Sequence, residues 1–285
     1  MIEIVSGEVR SLLGEGAWWS ARDDAFYWVD ILGRRLNRWR AASSPPLASW
    51  DVPEMIGWVI ERQGTPGFVA GLQSGVHVID LDPFRCTPLA AFGLDEPEMR
   101  LNDACADAHG NIWAGTMRIA ADRPVGALYR FDPAGDAVRV DTGYTVPNGP
   151  AISRDGQLLY HADSPLGLVY RLRLDDPQRT ASCAVHIAFD PSWGKPDGMT
   201  VDADDCLWVC HWDGGRVSRF DPSGALMRSI EVPASRVTNC AFGGADLDQL
   251  YITTAAKDRP DEPLAGAIFR ADPGVRGVPA NRYAG

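Results

Sequence analysis

The sequence lacks the features that mark several large classes of protein. It contains no apolar run of about 18 residues, so no membrane-spanning helix is expected. Its 27 lysines and arginines are outnumbered by 38 acidic residues, and the net charge of −11 provides no basic surface for nucleic acid. The N-terminus has no basic region followed by an apolar stretch, which argues against a secretory signal and predicts a cytoplasmic location.

The motifs of several enzyme classes are also missing. There is no Gly-x-Ser-x-Gly, which disfavours a serine hydrolase. There is no HExxH motif, and no glycine-rich loop of the kind that binds phosphates or dinucleotides. The six cysteines include no CxxC pair, and without a secretory signal we expect reduced thiols and no disulfides.

What the sequence does contain is an internal repeat. Its first segment is a turn rich in Asp, Gly and Asn, followed by a short apolar strand. The centres of these strands are spaced 41, 44, 47, 48 and 43 residues apart. They are Trp28, Val69, Trp113, Tyr160, Trp208 and Tyr251.

A second segment, an alternating apolar and polar strand that ends in Asp-Pro, keeps in step with the first. Its prolines are Pro83, Pro133, Pro177, Pro222 and Pro273. Two series in step predict six repeats of about 45 residues, and this period is typical of a β-propeller. We therefore predict an all-β, six-bladed β-propeller that forms a single domain over residues 1–285. The last strand of the ring is expected within residues 2–9.

Polar residues recur 11 to 13 positions before five of the strand centres. They are Glu15, Asn102, Asn148, Asp197 and Asn239. Because the blades of a propeller surround one axis, we expect side chains at one phase to converge on a central channel. Glu, Asn and Asp are hard oxygen donors that suit Ca²⁺, Mg²⁺ or Mn²⁺. The sequences Pro-Asn-Gly and Pro-Asp-Gly, taken alone, would indicate ordinary turns, but the shared phase favours a metal-binding channel.

The segment around residue 100 suggests a place for substrate. Arg100 and Asn102 are two residues apart on an extended segment, so both face one side. A guanidinium and an amide suit the hydroxyl or carbonyl oxygens of a small polar molecule, although a surface arginine beside a turn is the alternative. Asp103 is then expected to face away from the axis. Trp58, near the axial phase of its repeat, is a candidate wall of the pocket.

Taken together, these residues resemble the regucalcin/gluconolactonase family of sugar lactonases, also called the senescence marker protein family. The resemblance runs from about residue 12 to the C-terminus. Its motifs are Leu13-Gly-Glu-Gly, Arg100-Leu-Asn-Asp, Ala114-Gly-Thr-Met, Pro147-Asn-Gly, Pro196-Asp-Gly-Met and Gly214-Gly-Arg-Val. It implies a six-bladed propeller with one divalent cation (Ca²⁺, Zn²⁺, Mg²⁺, Mn²⁺ or Fe²⁺) in the central channel.

The resemblance also implies roles for individual residues. Glu15, Asn148 and Asp197 would be the metal ligands, and Asp197 would also be the base that acts on the attacking water. Arg100 and Asn102 would hold the sugar ring. The implied reaction is the hydrolysis of an aldonolactone, such as a gluconolactone-like compound, to its aldonic acid.

One stretch departs from the family pattern. Many members carry an acidic residue a few places after Gly-Thr-Met, whereas this chain has Arg118-Ile-Ala-Ala-Asp122. Asp122 is therefore a candidate substrate contact, or Arg118 changes the sugar preference. The expected partner is a small sugar lactone, with no nucleic acid or membrane, and the chain is expected to be a monomer or weak homodimer. The alternatives are a promiscuous metal-dependent esterase or phosphotriesterase, and a non-catalytic calcium-binding propeller.

Overall fold

The strands of the protein form six separate four-stranded antiparallel sheets. The computed structural model describes residues 2–6, 9–43, 47–91, 94, 98–174 and 183–285. Over these residues the only helical elements are short 3-10 turns, and no helix is long and apolar enough to cross a membrane. The six sheets are the blades of a β-propeller, which confirms the predicted fold.

The first three blades follow one another along the chain. The chain begins with β1 (Ile2–Ser6), which belongs to the last blade. Blade 1 contains β2 (Gly14–Ser20), β3 (Ala25–Asp30), β4 (Arg35–Trp39) and β5 (Leu47–Asp51). Blade 2 contains β6 (Ile56–Glu61), β7 (Phe68–Leu72), β8 (Gly75–Leu81) and β9 (Phe84–Ala90). Blade 3 contains β10 (Met99–Ala106), β11 (Ile112–Arg118), β12 (Gly126–Phe131) and β13 (Ala137–Tyr144).

The remaining blades complete the ring. Blade 4 contains β14 (Pro147–Ile152), β15 (Leu158–Asp163), β16 (Leu168–Arg173) and β17 (Ala184–Ala188). Blade 5 contains β18 (Lys195–Val201), β19 (Leu207–Trp212), β20 (Arg216–Phe220) and β21 (Leu226–Glu231). Blade 6 contains β22 (Val237–Gly243), β23 (Gln249–Thr254), β24 (Ile268–Ala271) and the N-terminal β1. β1 pairs antiparallel with β24, so the two ends of the chain share one blade, as predicted.

Both repeat segments take the same place in every blade where the structure describes them. The six predicted strand centres all lie on the second strand of a blade. Four of the five Asp-Pro pairs directly follow the third strand, and Pro177 lies outside the described residues. The prolines therefore mark the end of strand pairing, because proline has no N–H to donate.

Turn aspartates attach each second strand to the turn before it. The Asp107 carboxylate accepts hydrogen bonds from two N–H groups of its own turn and from Trp113 Nε1 at 2.9 Å. Asp202 repeats this arrangement two blades later, accepting from Trp208 Nε1 at 2.8 Å and from Arg219 Nε at 2.7 Å. An aspartate six residues before a tryptophan is thus a structural pattern, in which the turn and the strand stabilise each other.

The hydrophobic core lies between the faces of neighbouring blades. Phe26 and Trp28 of blade 1 pack with Tyr251 and Ile268 of blade 6, and all four are almost completely buried. Burying a side chain of this size stabilises the fold by roughly 1.5–3 kcal/mol. Blade-to-blade packing of this kind keeps the inner strands in a fixed ring.

The inner strands share a β-bulge. β2, β6, β10, β14, β18 and β22 each contact the next around the axis. In every one of them the pairing with the second strand breaks once. The breaks lie between Glu15 and Trp18, Ile56 and Trp58, Leu101 and Ala104, Asn148 and Ala151, Pro196 and Met199, and Val237 and Cys240. A bulge leaves residues unpaired and re-aims their side chains, so each blade can turn a side chain toward the channel here.

Candidate active site

All five predicted polar residues lie at these bulges. Glu15 and Asn148 are the last paired residues before the break, Asn102 and Asp197 are the first unpaired ones, and Asn239 is the second. Each of the five is between 3 and 7% exposed. Each residue lies in the bulge of its own blade, at one of three successive positions, whereas the sequence spacing predicted the same position in every blade.

A chain of hydrogen bonds joins three of the blades. Arg100 Nη1 donates to Asn102 Oδ1 at 2.7 Å, and Asn102 Nδ2 donates to Asn148 Oδ1 at 2.7 Å. Asn148 Nδ2 then donates to Ser164 Oγ at 2.8 Å. Ser164 Oγ donates to the carbonyl of Pro196, the residue before Asp197, at 2.6 Å. These hydrogen bonds link Arg100 and Asn102 directly to Asn148, and through Ser164 to the strand that carries Asp197.

These bonds fix the orientation of the Asn148 amide. Its NH₂ group donates to Ser164, and its Oδ1 accepts from Asn102. An amide oxygen has two acceptor positions, so Asn148 Oδ1 retains one for a further partner. This is the orientation that a metal ligand requires.

The polar residues at the bulges form a ring around the channel, and this ring contains four buried charged groups, Glu15, Arg100, Asp103 and Asp197. Burial raises the pKa of Glu15 to about 7, against the opposing effects of the Arg100 charge and the Asn239 amide. Burial also raises the pKa of Asp197 well above its ordinary value, and the charges of Glu15 and Asp103 add to this. Burial lowers the pKa of Arg100 to about 10, although the nearby carboxylates favour its charged form. Three carboxylates and one guanidinium thus share a small buried volume.

Asp103 is one of these carboxylates, so the expectation that it faces away from the axis was wrong. It is 5% exposed, its Oδ2 accepts from Asn239 Nδ2 at 3.1 Å, and burial together with the charge of Glu15 raises its pKa. The bulge explains the error. Pairing breaks between Leu101 and Ala104, and the simple alternation of side chains does not hold across the break.

The ring suits a divalent cation. Asp197 Oδ1 is buried and has no hydrogen-bond partner among the described residues, which is costly unless a positive group faces it. With all three carboxylates ionised, these four groups would carry a formal charge of −2, and a bound cation would offset the carboxylate repulsion that contributes to the raised pKa values of Asp103 and Asp197. The described residues contain no group of three or more His, Cys, Asp or Glu that could hold a metal. The candidate ligands Glu15, Asn148 and Asp197 instead combine two carboxylates with an amide oxygen, a set that suits hard cations.

A cavity of about 860 Å³ begins on the other side of the ring from Arg100. Inner-strand residues beyond the bulges line it, and residues 278–282 of the C-terminal segment cross its outer end. Trp58 is 1% exposed and lies on the wall of this cavity. The predicted pocket wall is therefore a cavity wall, and contact between Trp58 and a substrate stays a prediction.

Asp122 is tied to Arg118. Arg118 Nη1 donates to both oxygens of the Asp122 carboxylate, at 2.5 and 2.6 Å, and Arg118 Nη2 donates to Glu98 at 3.0 Å. The Asp122 side chain is 50% exposed. Its contact with a sugar stays a prediction, and the structure gives the carboxylate a different partner.

Two aspartates that the sequence pattern did not predict stabilise the segments just ahead of Glu15 and Asn148. Asp30 accepts hydrogen bonds from the N–H groups of residues 12 and 13 at 2.9 and 3.0 Å, just ahead of Glu15. Asp163 accepts from the N–H groups of residues 145 and 146 at 3.2 and 3.0 Å, just ahead of Asn148. Both aspartates end the second strand of their blade. That shared position was a usable signal in the sequence, whereas Ser164 had none.

Comparison with known proteins places these features in a family. The SMP-30/Gluconolactonase/LRE-like region model matches residues 13–256. The 6-deoxy-6-sulfogluconolactonase of Pseudomonas putida is 35% identical and covers 96% of each chain. Pentonolactonase XacC of Haloferax volcanii is 34% identical and covers 95% of this chain and 94% of its own. The crystal structure of regucalcin from Agrobacterium tumefaciens, described as a calcium-binding protein, superposes with a TM-score of 0.90 at 25% identity, covering 99% and 96% of the two chains.

Proposed function

The chain belongs to the SMP-30/gluconolactonase/LRE-like family, and we propose that it hydrolyses a sugar lactone to the sugar acid with a divalent cation in the channel. The observation that carries this proposal is the group of three buried carboxylates that includes Asp197, whose Oδ1 has no hydrogen-bond partner among the described residues. Two relatives named as lactonases of sugar derivatives support the substrate class.

Glu15, Asn148 and Asp197 would hold the cation. When bound, the cation would polarise the lactone carbonyl and lower the pKa of a water molecule beside it. Asn148 is prepared for this role because its hydrogen bonds direct Oδ1, and not the NH₂ group, to the ring. The two carboxylates and the amide leave room in the coordination sphere for water and substrate, as catalytic sites require.

Asp197 moves the proton in the proposed reaction. Its unpartnered Oδ1 accepts a proton from the attacking water. The water oxygen bonds to the carbonyl carbon, the ring C–O bond breaks, and the leaving oxygen takes that proton from Asp197 to become a hydroxyl group, which restores the carboxylate. The products are one carboxylic acid and one alcohol on the same open-chain molecule.

Arg100 and Asn102 would position the sugar. Both are buried on the strand that leads into the ring, and their mutual hydrogen bond at 2.7 Å fixes their relative orientation. A guanidinium offers five donors and no acceptor, so Arg100 suits the carbonyl and hydroxyl oxygens of a lactone. Holding the carbonyl carbon close to the attacking water contributes the proximity part of catalysis.

The testing experiment measures acid release from a panel of lactones. Gluconolactone, a pentonolactone and a sulfonated gluconolactone are each assayed with chelator-treated protein and after adding back Ca²⁺, Zn²⁺, Mg²⁺ or Mn²⁺. We expect hydrolysis of at least one lactone with at least one cation, and background rates after chelation. Equal rates with and without every cation would refute the metal-dependent mechanism.

Two variants separate binding from chemistry. Asp197→Ala should abolish turnover and weaken cation binding, because it removes a ligand and the proton acceptor together. Arg100→Ala should raise KM more than it lowers cation affinity, because the guanidinium meets the substrate. Wild-type rates in Asp197→Ala would be incompatible with the mechanism.

A second candidate is a calcium-binding propeller without lactonase activity. The similarity to a structure described as a calcium-binding protein favours it. The same panel distinguishes the two, because this candidate binds Ca²⁺ but releases acid only at background rates. A metal-dependent esterase or phosphotriesterase would instead prefer aryl esters or organophosphates, which are included as a second panel.

A further inference from the structure

Asn239 has a fixed side-chain orientation at the edge of the ring. It lies on β22 and is 6% exposed. Its Oδ1 accepts from the backbone N–H of Cys240 at 2.7 Å, and its Nδ2 donates to Asp103 Oδ2 at 3.1 Å. Because the oxygen is occupied by a donor, the NH₂ group must face the carboxylates.

The same amide reaches carboxylates from two different blades. It donates to Asp103 on blade 3 at 3.1 Å, and it lowers the pKa of Glu15 on blade 1 against the larger, opposing effect of burial. It also packs against blade 5, since a Cβ atom built on Gly198 would lie 2.5 Å from Asn239 Cγ. Gly198 directly follows Asp197, so this one side chain contacts the surroundings of all three buried carboxylates.

The backbone of Asn239 is held as firmly as its side chain. Its N–H donates to Thr253 Oγ1 at 3.0 Å, and its carbonyl accepts from the same hydroxyl at 3.2 Å. The neighbouring Thr238 Oγ1 donates to the carbonyl of Gly14, the residue before Glu15. The backbone next to Asn239 is therefore hydrogen-bonded to the strand that carries Glu15, which holds the amide and that carboxylate near each other.

We propose that Asn239 is a positioning residue of the cation site, whose amide holds the Glu15 and Asp103 carboxylates in place so that Glu15 can bind the metal. Two carboxylates that face each other in a buried space repel, and an NH₂ group has one hydrogen for each of them. This role rests on the proposed function, because it assumes that a cation binds in the channel. Asn239 itself is neither one of the proposed cation ligands nor one of the proposed substrate contacts.

The experiment compares two substitutions that remove the amide in different ways. Asn239→Leu keeps the branched shape, with two slightly larger methyl groups in place of the amide, and supplies no donor. Asn239→Ala leaves space in which a water molecule can donate to both carboxylates. The matched control is Asn37→Leu, since Asn37 is 0% exposed on β4 and its Oδ1 accepts from Ser49 Oγ, away from the ring.

Cation affinity is measured by isothermal titration calorimetry, with thermal unfolding as the readout of stability. Partners that support metal ligands typically contribute 10–100-fold in affinity. We expect about 100-fold weaker binding of Ca²⁺ or Zn²⁺ by Asn239→Leu, about 10-fold by Asn239→Ala, and unchanged affinity in Asn37→Leu. At saturating cation, the KM for the lactone should stay within about twofold of wild type, because among the described residues no hydrogen bond joins Asn239 to Arg100 or Asn102.

The possible outcomes are distinct. Affinity within about twofold of wild type in both Asn239 variants would overturn the positioning role and leave the proposed function intact. Equal losses of affinity in Asn239→Leu and Asn37→Leu would overturn it as well, because a general loss of stability would then be the cause. Failure of the wild-type protein to bind any cation would overturn both the metal-dependent function and this role.

Discussion

Replacing Ser164 with alanine removes a single oxygen atom, and it should still disturb the orientation of Asn148 in the ring. Its hydroxyl accepts from Asn148 Nδ2 at 2.8 Å and donates to the Pro196 carbonyl at 2.6 Å. Ser164→Ala removes both bonds, so the Asn148 amide is then oriented by its hydrogen bond from Asn102 alone and rotates more readily. A rotated amide would present its NH₂ group, which cannot bind a cation, to the ring.

The size of the effect follows from these two bonds. Ser164 is 6% exposed, so the abandoned NH₂ group stays buried and costs about 1–3 kcal/mol of folding stability. Loss of a group that orients a metal ligand typically weakens metal binding 10–100-fold, which corresponds to about 1.4–2.7 kcal/mol. We therefore expect lower cation affinity and lower stability together, with lactone hydrolysis restored by excess cation.

The assay pairs this variant with another buried serine of the same blade. Ser153 is 4% exposed, and its hydroxyl accepts from the N–H of Leu158 at 2.9 Å and donates to Asp155 at 2.6 Å, in the turn between β14 and β15. Ser153→Ala should lose stability and keep wild-type cation affinity in calorimetric titrations. Wild-type affinity in both variants, at similar losses of stability, would refute the reasoning about Asn148.

Three further predictions concern stability and the far cavity. Asp202→Ala should destabilise the fold by about 3–5 kcal/mol in urea titrations, because it leaves the buried Arg219 without its main counter-charge. Burial lowers the pKa of His161 to about 4, below the ordinary value of about 6.5. The unfolded chain therefore binds the proton more readily than the folded one. About 3 kcal/mol of the free energy of unfolding, present above pH 6.5, is lost as the pH falls to 4. His161→Phe should remove this part of the pH dependence. Tyr283 is 3% exposed and anchors the C-terminal segment that crosses the cavity. Cys240 lies on the wall of this cavity, so Tyr283→Ala should increase the rate at which Cys240 reacts with a thiol reagent. An unchanged rate would contradict this prediction.

The arrangement of the blades could be predicted from the sequence because its signals are local. The turn aspartate and the strand tryptophan contact each other within six residues, as Asp107 and Trp113 do. The Asp-Pro pairs end strands through the chemistry of proline alone. Neither signal depends on the partner blade, so both recur in step along the chain and reveal the number of blades.

The details of the ring could not be predicted in this way, because they depend on contacts between blades. The alternation of an ordinary strand placed Asp103 away from the axis, whereas the bulge in β10 brings it into the channel beside Asn239. Ser164 acquires its role only because β14 and β18 lie next to each other. Asp122 is held by Arg118, and the three residues of chain between them do not specify that pairing.

Blade 2 shows why the ring is built from five polar residues in a fold with six blades. Its bulge is one residue shorter than the others, and the unpaired residue is Gly57. A Cβ atom on Gly57 would collide with the carbonyl oxygens of Leu101 and Asn102. A side chain at this position would therefore push away the strand that carries Arg100 and Asn102. The absence of a polar side chain in blade 2 therefore allows β10, the strand of blade 3 that carries Arg100 and Asn102, to approach the axis.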